Sequence, residues 1–302
     1  MLQILQNRSD LLTALRLFFL ERDFLEVETP LLAEEIIPEL HIDPFPVGTA
    51  WLQASPELHM KRLVAAGMPA IFQVTRSFRA GERGALHNPE FTMVEWYRTD
   101  DDMLAGIELL DQLCQTLLNT SAATRTTYGE AFEKHVRICP YTTSAEQLAY
   151  RTTELGVDVP DNFDRDDRDE WLNLLLATQI EPQLGQTSPE IIYDYPASQS
   201  ALAKVDRRDD GIEVARRFEL YINGIELANG YDELTDDVEL RRRLTQVNTA
   251  RQADGRPALP LPESLLAAMQ QGLPNCTGCA LGFDRLAMLA LGTDSIAEIR
   301  AF

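Results

Sequence analysis

Positive charge is scarce in this chain, cysteine is rarer still, and no long apolar run occurs. Twenty-seven Lys and Arg face 48 Asp and Glu over 302 residues, giving a net charge of −21 at pH 7 and an isoelectric point near 4.5. Proteins that bind nucleic acid gain most of their nonspecific affinity from cations that displace phosphate counterions, so this surface suits polyanions poorly. The basic clusters are short: Arg207-Arg208, Arg216-Arg217 and Arg241-Arg242-Arg243. They read as solvated faces or nucleotide partners rather than as groove readers. No segment approaches the ~20 apolar residues that span a bilayer, and Met1 to Asp10 lacks the basic start and apolar core of a signal peptide. A cytoplasmic protein is expected.

Cys114, Cys139, Cys276 and Cys279 are too few and too scattered for a disulfide framework. Cys276-x-x-Cys279 has no second CxxC to complete a zinc site, so small buried thiols are the expected reading. Neither GxGxxG after a strand nor GxxxxGK[ST] is present, which removes the dinucleotide fold and the P-loop. No Pro/Gly/Ser-rich linker divides the chain, and 45% of it is hydrophobic. A single domain over residues 1–302 is expected, with a helical insertion around 126–186.

Ser9 or Asp10 could cap a helix carrying Leu11, Leu15, Phe18 and Phe19 at helical spacing, followed by an extended stretch from Phe24 to Thr29 that Pro30 stops. A second extended unit, Trp51 to Ala54, leads into a helix with Leu58, Arg62, Leu63 and Ala66, ending at Gly67. Strands are predicted at 71–78 and 91–97, joined by a long polar loop; a helix is predicted over 101–120. Strands return at 191–195, as a pair across 218–230, and at 279–281, where Gly282 opens a helix from Phe283 to Leu291 closed by Gly292. Antiparallel strands with helices between them indicate the α+β class.

Three constellations carry chemistry. In the first, Arg79-Ala80-Gly81-Glu82 is followed by His87-Asn88-Pro89-Glu90-Phe91-Thr92-Met93-Val94-Glu95-Trp96-Tyr97. A guanidinium at a strand end, a flexible loop and an Asn/aromatic pair suit a nucleotide held without a P-loop: Arg79 can grip the α-phosphate and Phe91 can stack on adenine. In the second, Glu219 and Glu226 flank Asn223-Gly224, with Asn229 and Glu233 beyond. A hairpin turn there returns both carboxylates to one face, where they can hold a hard cation such as Mg²⁺. In the third, Gly278-Cys279-Ala280-Leu281-Gly282-Phe283-Asp284-Arg285, small residues let a ligand approach the backbone and Arg285 can reach a terminal phosphate. Taken singly, each admits a plain reading as a surface hairpin, an acidic hairpin or a strand-to-helix turn.

In this order the three resemble the signature motifs of class II aminoacyl-tRNA synthetases, most closely those of the lysyl-tRNA synthetases, over essentially the whole chain. The first motif corresponds to Phe24–Pro30 and the preceding helix, the second to Phe78–Tyr97 and the third to Gly278–Met288. The resemblance implies a class II catalytic domain, an antiparallel sheet flanked by helices, acting as a homodimer through the first motif. It implies ATP contacts at Arg79, Ala80, Gly81, Glu82, His87, Asn88, Phe91, Glu219, Leu220, Gly282 and Arg285, with Arg79 and Arg285 catalytic and Mg²⁺ on Glu219 and Glu226. It also implies amino-acid contacts at Ser55, Pro56, Glu57, Glu95, Tyr97, Glu226, Glu233 and Ala280, where acids and an aromatic hydroxyl favour an ammonium-bearing side chain.

Two departures from the synthetases are visible. The catalytic helix starts almost at the first residue, leaving no place for the N-terminal anticodon reader, and the charge is strongly negative. With Ser55-Pro-Glu-Leu-His-Met, Tyr195-Pro-Ala-Ser-Gln199 and Ala280 in place of a second glycine, the chain is similar to the truncated lysyl-synthetase paralogues that ligate β-lysine to a lysine of elongation factor P. Where the synthetase motif has an acid, this chain has Gly81, and Glu82 stands one residue away to supply it. A minimal lysyl-tRNA synthetase, an asparagine-synthetase-like amide ligase and a non-catalytic binding module remain as rival readings.

Overall fold

A computed structural model describes residues 2–301; Met1 and Phe302, the ends of the expected domain, lie outside the described residues. The chain divides into two compact units, one running to Asn119 and resuming at Asp232, the other Thr120–Tyr231.

The first unit begins with α1 (Leu2–Leu20), then β1 (Leu25–Glu26), β2 (Leu32–Ala33), β3 (Pro46–Val47), β4 (Ala50–Leu52), α2 (Glu57–Ala65), β5 (Ala70–Phe78), β6 (Glu90–Thr99) and α3 (Met103–Leu118). The second unit holds β7 (Thr124–Thr127), α4 (Tyr128–His135), α5 (Ala145–Glu154), α6 (Arg168–Leu175), β8 (Glu190–Pro196), β9 (Val205–Arg207), β10 (Glu213–Ile222) and nearly all of β11 (Ile225–Asp232). The first unit then resumes with α7 (Asp237–Ala253), α8 (Glu263–Gly272), β12 (Cys276–Gly282) and α9 (Phe283–Leu291).

In the first unit β6 pairs antiparallel with β5 on one side and with β12 on the other, and β1 adds to β5 in parallel. A small antiparallel sheet forms from β2, β4 and β3. One face of the main sheet is sealed by α1, where Phe19 stacks on Phe72 with ring centroids 4.7 Å apart and lies 5.2 Å from Trp96. Because strand side chains alternate, burying Trp96, Val94, Cys279 and Leu281 on that side leaves Glu95, Tyr97, Gly278 and Ala280 on the other.

In the second unit β8 and β11 flank β10 antiparallel, β7 pairs β8 in parallel, and β9 pairs the start of β10. Tyr128, Phe132, Trp171, Leu175, Ile192 and Tyr195 form its core. The helices expected around 126–186 are α4 to α6, two of them opened by capping boxes at Thr127 and Ser144.

Several local readings need correction. Helix α1 starts at Leu2, so Ser9 and Asp10 lie inside it and cap nothing. The stretch from Phe24 to Thr29 contributes only the two residues of β1. On α2 the buried residues are Leu58, Met60, Lys61 and Val64 rather than Arg62 and Leu63. Cys139 is exposed, while Cys114, Cys276 and Cys279 are buried as thiols. The sequence reading passed over α7, whose buried residues are only Leu240, Leu244 and Arg251, and also α8 and the polar β7.

Arg251 is a buried tie between α7 and the segment that precedes β3. It donates to the carbonyls of Glu39 at 2.8 Å, Ile42 at 3.2 Å and Pro257 at 3.2 Å, and pairs with Asp43 at 2.8 Å. The Asp43 carbonyl in turn accepts from the Ala80 amide at 2.7 Å. Arg251→Met should therefore lower stability by about 3 kcal/mol, since several buried acceptors lose their donor at once. A denaturant midpoint indistinguishable from wild type would contradict this.

Candidate active site

Of the residues expected to meet an amino acid, those of the first unit gather on the open face of β6 and β12, while Glu226 belongs to the second unit. Tyr97 lies opposite Gly278 and Glu95 opposite Ala280; directly opposed residues in an antiparallel pair share a face. A side chain at position 278 would run into the Glu233 carboxylate and the Tyr97 ring, so only glycine leaves room for them. Glu233 is fixed there by its own amide, which donates to the Cys276 carbonyl at 3.0 Å.

Glu95 is buried and accepts from Ser55 Oγ at 2.6 Å and from the Tyr97 hydroxyl at 2.6 Å. Ser55 Oγ also accepts from the Glu57 amide at 3.1 Å, linking the pocket to the start of α2, where Pro56 is the N-cap residue. The remaining member was not singled out from the sequence. Lys61, one turn along α2 from Glu57 and 2% exposed, places Nζ 2.5 Å from Glu57 and 2.6 Å from Glu233. Its signal was the i,i+4 pair of SPELHMK, which usually marks a solvated helix face.

Burial governs the protonation of this cage. It pushes the Glu95 carboxyl up to about 7, helped by the charge of Glu57 and opposed by Ser55, Tyr97 and Lys61. It pushes Glu233 up to about 8 against the pull of Lys61. For Lys61 itself burial works against the ammonium, but the charges of Glu233 and Glu57 outweigh it and hold its pKa above the ordinary lysine value.

The expected nucleotide residues of the first unit lie toward the other end of the same strands and on the loop and helix next to it, while Glu219 and Leu220 belong to the second unit. Phe91 shares the face of Glu95 on β6 and is half-buried; the Arg79 guanidinium sits 5.1 Å from its ring centroid. Arg79 Nε is buried without a protein partner, and its nearest acid is Glu82 at 3.9 Å, so the guanidinium keeps donor capacity for an anion. Gly81 has φ +81°, a backbone that disfavours any acid at that position. Asn88 spends its amide on the Glu90 carbonyl at 2.6 Å, shaping the entry to β6. Arg285 on α9 donates to the Leu86 carbonyl and lies 2.6 Å from His87 Nε2. Burial and the neighbouring Arg285 hold the His87 pKa below its usual value, so a neutral ring can accept from that guanidinium.

Arg285 is half-buried; the buried charge is its neighbour Asp284. Asp284 accepts from Arg8 at 2.6 Å and from the Thr92 amide at 3.0 Å, while Thr92 Oγ1 also accepts from Arg8 and Arg76. This clamp fixes the first turn of α9 beyond Gly282, its N-cap residue, and so aims Arg285.

The second unit carries the acidic hairpin. Asn223 and Gly224 have φ of 53° and 74°, the left-handed turn expected of Asn-Gly. Tyr221 pairs with Glu226, and Tyr221 donates to Glu219, so the two acids share a face. A bulge past Leu220 brings Asn229 opposite Glu219 as well. Glu219 is already engaged: Arg217 pairs with one oxygen, and Tyr195 and Tyr221 donate to the other. Leu220 is fully buried, so a ligand could meet only its backbone. Among the described residues no cluster of three His, Cys, Asp or Glu forms a metal cage. The donor set fits an ion that keeps most of its ligands from water and phosphate, as Mg²⁺ does.

Residues 1–302 match the family of class II tRNA synthetases (D, K and N). Proteins named elongation factor P–(R)-β-lysine ligase from Salmonella paratyphi A and Klebsiella pneumoniae subsp. pneumoniae are each 44% identical to it over 309 residues, 99% of this chain and 94% of theirs. The protein of that name from Salmonella arizonae is 43% identical over the same shares.

The raised pKa of Glu95 makes a prediction about the ligand-free protein. Between an unfolded value of 4.5 and about 7 the folded state binds the extra proton, so this stabilisation is present below 4.5 and is lost as pH rises through about 7. The loss is on the order of 3 kcal/mol. Glu95→Gln should show a smaller fall in Tm between pH 5 and 8 than wild type; parallel Tm curves would contradict the burial argument.

Proposed function

The chain belongs to the class II tRNA synthetases of the D, K and N group, and from that premise we propose that it activates (R)-β-lysine with ATP and ligates it to a lysine of elongation factor P. The observation that carries this reading is the cage of Glu57, Glu95, Glu233, Ser55 and Tyr97 beside Arg79 and Phe91 on one sheet face. Buried carboxylates with hydroxyl donors suit ammonium groups, and would reject the carboxylate of aspartate by like-charge repulsion.

In the first step the substrate carboxylate attacks the α-phosphorus of ATP in line, forming the aminoacyl-adenylate and expelling pyrophosphate. Arg79 holds the α-phosphate and Arg285 the terminal phosphate, so positioning and fixed positive charge carry the step without a protein nucleophile. Within the second unit Glu219 and Glu226 would hold Mg²⁺, an ion that supplies positive charge to oxygen ligands. In the second step an ε-amine of the partner attacks the adenylate carbonyl and AMP leaves with the bond electrons, while the amine proton passes to a phosphate oxygen or to water.

Ala280, opposite Glu95, is half-buried and lines the pocket where a synthetase has glycine. Its methyl favours a substrate whose amino group is displaced from the α-carbon. The net charge of −21 favours a protein acceptor over tRNA. Leu17, Leu20 and Leu25 stand exposed around α1 and β1, apolar surface that suits a two-fold homodimer through this segment. Among the described residues no helix is long and apolar enough to cross a membrane, and the protein is proposed to work in the cytoplasm.

Pyrophosphate exchange with (R)-β-lysine, α-lysine and aspartate tests the reading: (R)-β-lysine should be preferred and aspartate inert, and preference for aspartate would reject it. Arg285→Ala should reduce adenylate formation by at least about 100-fold with an unchanged circular-dichroism spectrum; wild-type turnover would contradict its role. Ala280→Gly should move the β/α preference toward α-lysine by about tenfold, the scale set by one methyl group in a pocket. An unchanged ratio would remove Ala280 from the specificity account.

A further inference from the structure

Lys61 has no place in the reaction described above, yet it is the most deeply sealed cation of the amino-acid pocket. It is 2% exposed, it faces Glu57 from one turn earlier on its own helix, and it meets Glu233 from the segment after β11. The titratable groups set against it and its partners among the described residues are Glu57 on α2, Glu95 and Tyr97 on β6, Glu233, and the buried thiol of Cys279 on β12, with no second cation among them. One ammonium is thus set against three carboxylates in a site from which water is largely excluded.

We propose that Lys61 is a positioning and specificity residue: an internal counter-ion that aims Glu57 and Glu233 and favours the charged form of Glu233, so that the pocket gives up its protons to the incoming amino group more readily than the acids alone would. The inference rests on the lysine-type substrate proposed above. Its physical basis is that carboxylates crowded in a dry site cannot all stay ionised without a cation. Lys61 is the leading influence that lowers the Glu233 pKa, and it also lowers that of Glu95. Without it both acids would hold their protons to still higher pH, and a neutral acid is a weaker partner for an ammonium than a carboxylate. Substrate would then bind only by expelling those protons, which becomes easier as pH rises. Simple charge counting points the opposite way, because removing a cation would tighten binding of another cation. The two views give opposite signs.

The test is pyrophosphate exchange with (R)-β-lysine from pH 6 to 9, comparing wild type with Lys61→Met, which keeps much of the shape and loses the charge, and with Lys61→Arg, which keeps the charge. Lys61→Met should raise the amino-acid KM about tenfold or more at pH 7, recover toward wild type by pH 9, and leave the ATP KM within about twofold. Lys61→Arg should keep the wild-type pH profile, and that comparison decides the matter if Lys61→Met does not fold. A lower or unchanged amino-acid KM in Lys61→Met, a uniform loss of kcat at every pH, or an altered pH profile in Lys61→Arg would overturn the assignment. Wild-type protein that exchanges with no lysine isomer would remove the proposed function and this role with it; exchange in wild type with any of those mutant results removes only the role of Lys61.

Discussion

The first unit is organised around a single constraint: negative charge has to be kept ready in a pocket that excludes water. Burial opposes the ionisation of Glu95 and Glu233, and Glu57 stands beside them. Glu57 and Glu233 share the Lys61 ammonium, while Glu95 accepts from two hydroxyls. Such an arrangement stabilises the fold little, because desolvating ions costs about as much as pairing them returns. In the proposed function its value is recognition of a ligand ammonium.

The strand register of β6 and β12 turns that constraint into a site. Side chains facing α1 supply the apolar core, and their alternates supply the chemistry, with Gly278 under Tyr97 and Ala280 beside Glu95. The same alternation carries the face onward to Met93 opposite Gly282 and to Phe91 beneath Arg79. Two guanidiniums therefore need no dedicated scaffold. Arg79 leaves the end of β5 on a loop whose Ala80 is tied to Asp43, and Arg285 rides on a helix whose first turn is clamped through Asp284 to Arg8 and Thr92.

Much of this was legible because the motifs coincide with local rules. The alternation of HNPEFTMVEWY marked β6 and its two faces, and Asn223-Gly224 marked the hairpin that brings Glu219 and Glu226 to one side. What escaped did so for physical reasons. Lys61 stands at a core position of α2, and no periodicity argument buries a lysine. Arg251 hides in a helix whose surface is almost wholly polar, so α7 offered no apolar stripe to read. Helix α1 is already under way before Ser9 and Asp10, the residues that looked like its cap, and β7 is held by pairing to β8 rather than by its own Thr-rich sequence.

Relatives in the matched family and the cage of acids lead to the same chemistry: a diamino acid made reactive by ATP and handed to an amine on another protein. The most direct measurement of that claim is the intact mass of elongation factor P after incubation with this protein, ATP and Mg²⁺, with each lysine isomer supplied separately. The account requires the mass of one lysyl group to be gained, after loss of water, with (R)-β-lysine well ahead of α-lysine. An unmodified elongation factor P under conditions where the same preparation charges tRNA would contradict it.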